Sequence, residues 1–337
     1  MKAFEIKTYG DPAGLTLVDR PNLTPAAGQV LVRIRAVSLN YRDLVVVRGE
    51  YDRKPQVGRI PCSDGAGEVV AVGDGVSQFK PGDRVAGCFF QAWIGGRFKA
   101  EFHRSALGGA IDGVLAEEVL FDQEGLIHLP EIYSFEEGAT LPCAALTAWQ
   151  SLFVRGRLTA GESVLLLGTG GVSIFGLQFA KAAGAKAIVT SSSDEKLKRA
   201  RELGADELIN YRSTPEWGKE AARLSGVDGV DHVIEVGGSG TFQQSVRASR
   251  FNGNIGLIGI LSGREAATEI FSIVPKGLNV FGIYVGSRAM FEEMNRALSQ
   301  NRLKPVIDQV FPFGNSPDAF RHLASGAHFG KVVIAVA

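Results

Sequence analysis

The chain has 337 residues, 36 basic and 36 acidic side chains, zero formal net charge and 45% hydrophobic content. That length predicts two domains, and the neutral balance excludes a non-specific nucleic-acid binder, whose affinity rests on a basic surface. No apolar run has the length of a membrane span, and the three scattered cysteines, Cys62, Cys88 and Cys143, exclude a disulfide framework.

The N-terminal MKAFEIKTYG alternates like a strand and lacks the apolar segment of a secretory signal, so a reducing, cytoplasmic setting is expected. Residues 1–125 read as β-rich. Lys2–Ile6 alternates, and Gln29–Ala36 sets Val30, Val32, Ile34 and Ala36 against Leu31, Arg33 and Arg35. Ser38–Asp43 leads into Leu44–Val47, which fits a short helix or a strand equally. Small residues and Pro61 precede a buried strand ending near Gly73, and Lys80-Pro81-Gly82-Asp83 is a turn feeding another strand. Short strands joined this way predict a compact barrel-like domain. Glycines 95, 96, 108, 109 and 113 interrupt residues 91–114, which read as a long surface excursion.

From Ser134 the texture becomes helical. Ser134 and Glu137 have the spacing of a capping box, and a second helix is expected over Ala144–Phe153. Next comes SVLLLGTGGVSIFGLQFAKAA, Ser163 to Ala183. Val164–Leu167 is a strand buried on both faces. Gly168, Gly170 and Gly171 form a turn, and Val172, Phe175, Phe179 and Ala183 recur at helical spacing. Such a strand, turn and helix can bring backbone N–H groups against a pyrophosphate, aided by the helix dipole. Ser173 stands where the fingerprint has its third glycine. An ordinary buried βα unit with a glycine turn is the alternative.

Further strands and helices alternate: Ala187–Thr190 with Glu195–Leu203, Glu207–Asn210, His232–Val236 with Thr241–Ser249, Asn254–Ile260, and a last strand, Asn279–Tyr284. This predicts an α/β fold with a doubly wound parallel sheet. Asn279–Tyr284 would lie at the sheet edge, which predicts a homodimer. The tail returns to a helix, Ala289–Gln300, and a closing strand, Lys331–Val336.

An NAD-binding fold of this kind usually ends its second strand in an acid. Here that strand ends in Thr190-Ser191-Ser192-Ser193, and Asp194 reads as the cap of the next helix. Ser191, Ser192, Lys196 and Tyr211 could together hold a 2′-phosphate, which favours NADPH. Lys196 fits a solvated helix lysine as well.

Lys80–Val85, Gly65-Ala66-Gly67, Leu146-Thr147-Ala148-Trp149, Gly168–Ser173, Gly184-Ala185 and Val285-Gly286-Ser287-Arg288 together resemble the medium-chain dehydrogenase/reductase superfamily over essentially the whole chain. The resemblance implies a GroES-like catalytic domain, residues 1–125 and 287–337, and a Rossmann domain, residues 126–286. It also implies that Thr147 lies by the nicotinamide, that Gly168, Gly170, Gly171 and Val172 hold the pyrophosphate, and that Arg288 is near the cofactor.

The zinc-dependent members carry a catalytic Cys, His, Cys set. Here Asn40 stands at the first position, Cys62-Ser63-Asp64 replaces Gly-His-Glu, and Cys143 alone remains. One thiolate does not make a zinc site, although Cys62, Asp64 and Cys143 could improvise one. The better resemblance is to the zinc-free quinone oxidoreductase-like branch, in which Asn40 and Tyr51 match active-site positions. Metal-free hydride transfer suits quinones and α,β-unsaturated carbonyls, whose oxygen needs hydrogen-bond donors as charge develops. Asn40 and the hydroxyl of Tyr41 or Tyr51 are candidates, with water or a tyrosine as proton source. Asp64 either orients this group or is a structural carboxylate bonded to backbone N–H groups. Arg42 and Asp43 could equally form a local ion pair of little weight. The competing functions are an alcohol dehydrogenase or aldehyde reductase, zinc-dependent or not, and an NADPH-binding protein without turnover.

Overall fold

The computed structural model describes residues 1–51, 55–226, 228–259, 261–263, 265 and 269–336. Ile260, the expected end of one strand, lies outside the described residues. In chain order the strands are β1 (Lys2–Ile6), β2 (Leu15–Asp19), β3 (Gln29–Leu39), β4 (Asp64–Val72), β5 (Arg84–Gly87), β6 (Glu118–Asp122) and β7 (Leu126–His128). They continue as β8 (Ser163–Leu167), β9 (Lys186–Ser191), β10 (Glu207–Asn210), β11 (Val230–Glu235), β12 (Ser249–Leu257), β13 (Asn279–Gly282), β14 (Ile307–Pro312) and β15 (Lys331–Ala335). The chain forms two compact units, Met1–Leu146 with Val285–Ala337, and Thr147–Tyr284.

The first unit is built on β3. It pairs antiparallel with β4, β6 and β15 in a mixed sheet of order β14-β15-β3-β4-β5-β7. Arg33 and Arg35 keep the alternation at its middle, while residues 36–39, where β3 runs between β15 and β4, are buried throughout. Residues 126–146 also belong to this unit, since β7 pairs with β5. Leu44–Val47 resolves as the end of a helix, Tyr41–Val47. The capping box forms as expected: Ser134 Oγ accepts from Glu137 N–H at 3.2 Å and Glu137 Oε2 from Ser134 N–H at 2.9 Å.

Of the expected surface excursion, residues 94–105 are exposed or half-buried, while Trp93, Leu107 and Val114 are buried. Phe98 packs on Phe90, Trp93 and His103 at ring separations of 5.0, 4.8 and 4.9 Å. Apolar rings give this glycine-rich segment a small core of its own.

The second unit is a six-stranded parallel sheet of order β10-β9-β8-β11-β12-β13. β8 is buried at every position, as a central parallel strand requires. A helix over Trp217–Ser225 also covers the sheet. β13 has no strand on its outer side among the described residues. No helix among them is long and apolar enough to cross a membrane.

Candidate active site

In the first unit the candidate residues gather where β3 ends and the helix Tyr41–Val47 begins. Asn40 is the helix N-cap. Its backbone N–H donates to Asp43 Oδ2 at 2.8 Å, the reciprocal half of a capping box. Asp43 is completely buried, and desolvation pushes its carboxyl up to about 6 although the Arg42 guanidinium, 3.8 Å away, opposes the shift. The pair is therefore no surface ion pair.

Asp64 opens β4 and is also completely buried. Its Oδ1 accepts from Ser63 Oγ at 2.6 Å and its Oδ2 from the Cys143 N–H at 3.0 Å. Burial raises its pKa; the Lys331 charge, Ser63, the neighbouring Asn40 amide and the Cys143 N–H oppose the rise. Asp64 is thus a backbone-bonded carboxylate that also borders Asn40. Asn40 Oδ1 accepts from Lys331 Nζ at 2.6 Å, and the same ammonium donates to the Leu39 carbonyl at 2.5 Å. Asn40 Nδ2 is buried and its N–H groups stabilise the Asp64 carboxylate, without a well-aligned hydrogen bond.

Lys331 is 3% exposed. Sequence reasoning missed it, because a lysine opening a final strand reads as a solvated end. The signal was indirect: an all-apolar strand whose sole charge must be paired if the strand is central.

The tyrosines differ. Tyr51 is half-buried, with the Arg42 guanidinium 5.1 Å from its ring centroid. Arg42 also lies over Phe89 at 4.4 Å and donates to the Leu107 carbonyl at 2.6 Å. Tyr41, the first helical residue, is 37% exposed and is the weaker candidate.

Cys62 adopts a left-handed φ of 71°, a conformation that favours glycine. Val114 N–H holds its carbonyl at 3.0 Å. Burial and Asp64 push the Cys143 thiol well up, and burial with Asp43 does the same at Cys62. Neither is a ready thiolate. Among the described residues no three His, Cys, Asp or Glu side chains are grouped to hold a metal ion, Cys62, Asp64 and Cys143 included.

In the second unit, Gly168 takes a φ of 73° at the end of β8, and Gly170 caps the helix Gly171–Ala182 without any side-chain acceptor. The first-turn N–H groups at Gly171 and Val172 are thus left for another acceptor, which fits a pyrophosphate. Thr147 is buried in the helix Leu146–Trp149.

At the end of β9, Ser191 pairs with Asn210, and Tyr211 N–H donates to the Ser191 carbonyl at 3.1 Å, so Ser191, Ser192 and Tyr211 share one end of the sheet. The helix cap is Ser193, not Asp194: its Oγ accepts from Lys196 N–H at 3.3 Å. Asp194 is instead the first helical residue, where its carboxylate takes the Asn210 amide at 2.7 Å. Ser191 Oγ accepts from Ser193 N–H at 3.2 Å. No carboxylate ends β9, which suits a 2′-phosphate.

Arg288 is hydrogen-bonded within the first unit. Its guanidinium donates to Glu292 and Glu124, each at 2.9 Å, and to Gln78 at 2.5 Å. It ties together segments of the first unit.

Comparison with known proteins agrees with this architecture. Residues 26–131 match the alcohol dehydrogenase GroES-like domain and residues 171–300 the zinc-binding dehydrogenase domain. A zinc-type alcohol dehydrogenase-like protein of Schizosaccharomyces pombe is 44% identical over 92% of this chain and 91% of its own length. The chain belongs to the medium-chain dehydrogenase/reductase superfamily. A quinone oxidoreductase of Rattus norvegicus is 29% identical over 99% of this chain and 97% of its own. A crystal structure of an NAD-dependent alcohol dehydrogenase superposes with a TM-score of 0.91 at 33% identity, covering all of both chains. This protein is accordingly an NAD(P)H-dependent oxidoreductase with a GroES-like domain and a Rossmann domain.

Proposed function

We propose that this oxidoreductase uses NADPH to reduce quinones or α,β-unsaturated carbonyl compounds without a catalytic metal. The observation that carries the reading is the Asn40 amide. It stands where the zinc-dependent members have a cysteine, its oxygen is taken by Lys331, and its nitrogen has N–H groups to give.

When bound, the reduced nicotinamide supplies the hydride. The first-turn N–H groups after Gly170 hold the pyrophosphate, Thr147 borders the nicotinamide, and Ser191, Ser192, Lys196 and Tyr211 bind the 2′-phosphate. Asn40 Nδ2 donates to the carbonyl or quinone oxygen as negative charge builds there. A prepositioned donor of this kind is worth about 100-fold in rate. Tyr51, held under Arg42, is the second donor, and water delivers the proton. Asp64 and Asp43 act behind Asn40, not on the substrate.

The alternative, alcohol oxidation with zinc, is favoured by the name of the S. pombe relative. NADPH consumption with a panel of quinones, enones, aldehydes and alcohols, run beside metal analysis, separates the two. We also propose a homodimer through β13, where Val280 is exposed at the free edge. Light scattering at micromolar concentration tests it, and a monomer contradicts it.

A further inference from the structure

A buried ammonium is costly unless it is paired, and Lys331 has no salt-bridge partner within contact distance among the described residues, though the charges of Asp64 and Asp43 are near enough to be affected by it. Its direct bonds go to two neutral oxygens, the Leu39 carbonyl and Asn40 Oδ1. Antiparallel pairing of β15 with β3 makes this possible, because Val332 faces Leu39 and so brings Lys331 beside Asn40.

The chemistry of that contact is directional. An ammonium has donors only, whereas an amide has one accepting and one donating end of nearly equal size. Lys331 therefore decides which end faces it. With Oδ1 turned to the ammonium, Nδ2 is the donating end, whose N–H groups also stabilise the Asp64 carboxylate, and polarisation of the carbonyl by a cation strengthens its N–H donors. Asn40 is fixed at a second point by the bond from its backbone N–H to Asp43.

We propose that Lys331 is a positioning residue that locks the Asn40 side chain with Nδ2 as the donating end. Its effect on catalysis rests on the reading of Asn40 given above; the locking itself does not. The ammonium acts through the amide and touches no substrate.

The test is a double-mutant cycle with an NMR arm on the full-length protein. On an enone or quinone that the wild type reduces, Asn40→Ala lowers kcat about 100-fold and Lys331→Met about 10-fold, with KM little changed. The double variant is no slower than Asn40→Ala alone. Multiplying losses would mean that Lys331 works independently of Asn40 and would overturn the proposal. In 15N-asparagine-labelled protein, the Asn40 side-chain resonance, assigned by its loss in Asn40→Ala, shifts and exchanges faster with water in Lys331→Met. An unchanged resonance overturns the locking even if activity falls. Should Lys331→Met not fold, Lys331→Arg moves the donors while keeping the charge and gives the same two readouts. A protein that reduces nothing in the panel, yet shows the shifted resonance, rejects the enone and quinone reading and keeps the locking.

Discussion

Ser173 Oγ donates to the Leu167 carbonyl at 2.6 Å. This closes the turn between β8 and its helix from within, and it explains a serine at the third fingerprint position. The close helix–strand contact usually made there moves one turn on to Gly176, where a Cβ would meet Ile234 Cδ1 at 2.6 Å and Leu166 Cδ2 at 2.7 Å. Ser173→Ala is expected to cost about 1 kcal/mol, and Gly176→Val substantially more through overpacking. Thermal denaturation ranks them; equal, negligible losses would contradict this account of the turn.

The strained Cys62 is gripped by two glycines. A Cβ at Gly113 would lie 2.1 Å from the Cys62 carbonyl oxygen, and one at Gly108 2.5 Å from it. Neither obstacle is a flexible side-chain end. Gly113→Ala is expected to lose about 2 kcal/mol or more and to lower kcat by displacing Asp64. Wild-type stability and kcat in this variant would show that the segment adapts freely.

Asp43 gives a pH signature. Its folded pKa of about 6 lies above the ordinary 3.8. A carboxyl raised on folding adds stability that is complete below the unfolded pKa and is lost as pH rises through the folded one. The stability of the wild type relative to Asp43→Asn should therefore fall between about pH 4 and pH 6, by up to about 3 kcal/mol, and level off above. Denaturant titrations across that range measure it. A flat difference would mean that Asp43 is hydrated.

Cofactor choice follows from the end of β9. Ser191→Asp with Lys196→Ala puts a carboxylate beside the proposed 2′-phosphate position and removes a cation. The ratio of kcat/KM for NADPH over NADH should drop by about 100-fold, on the basis of hydrogen bonds to charged groups of about 1.5–3 kcal/mol. An unchanged ratio would remove these residues from the cofactor assignment.

Local signals carried far. The unbroken apolar run at β8 with its glycine turn located the sheet centre, and Ser134 with Glu137 located a helix start. Each is written within a few residues. The Trp217–Ser225 helix was not legible, because Gly218 and charged residues leave Trp217, Ala221 and Leu224 as a thin apolar stripe. Asp194 and Ser193 are adjacent acceptors, so sequence spacing could not say which one caps. At the candidate site, Asn40 and Asp64 were visible as replacements in a motif. Lys331 was not, since its bond to Asn40 spans 291 residues and exists only through strand pairing. Arg288 was read from its motif, which does not encode its side-chain partners.

The central claim is metal-free reduction by NADPH with Asn40 as donor. Its most direct test is turnover of the best quinone or enone by chelator-treated protein of measured metal content, beside Asn40→Ala. The account predicts full activity without stoichiometric zinc and a loss of about 100-fold in kcat for the variant. Stoichiometric zinc whose removal abolishes turnover, or an Asn40→Ala enzyme as fast as the wild type, would contradict it.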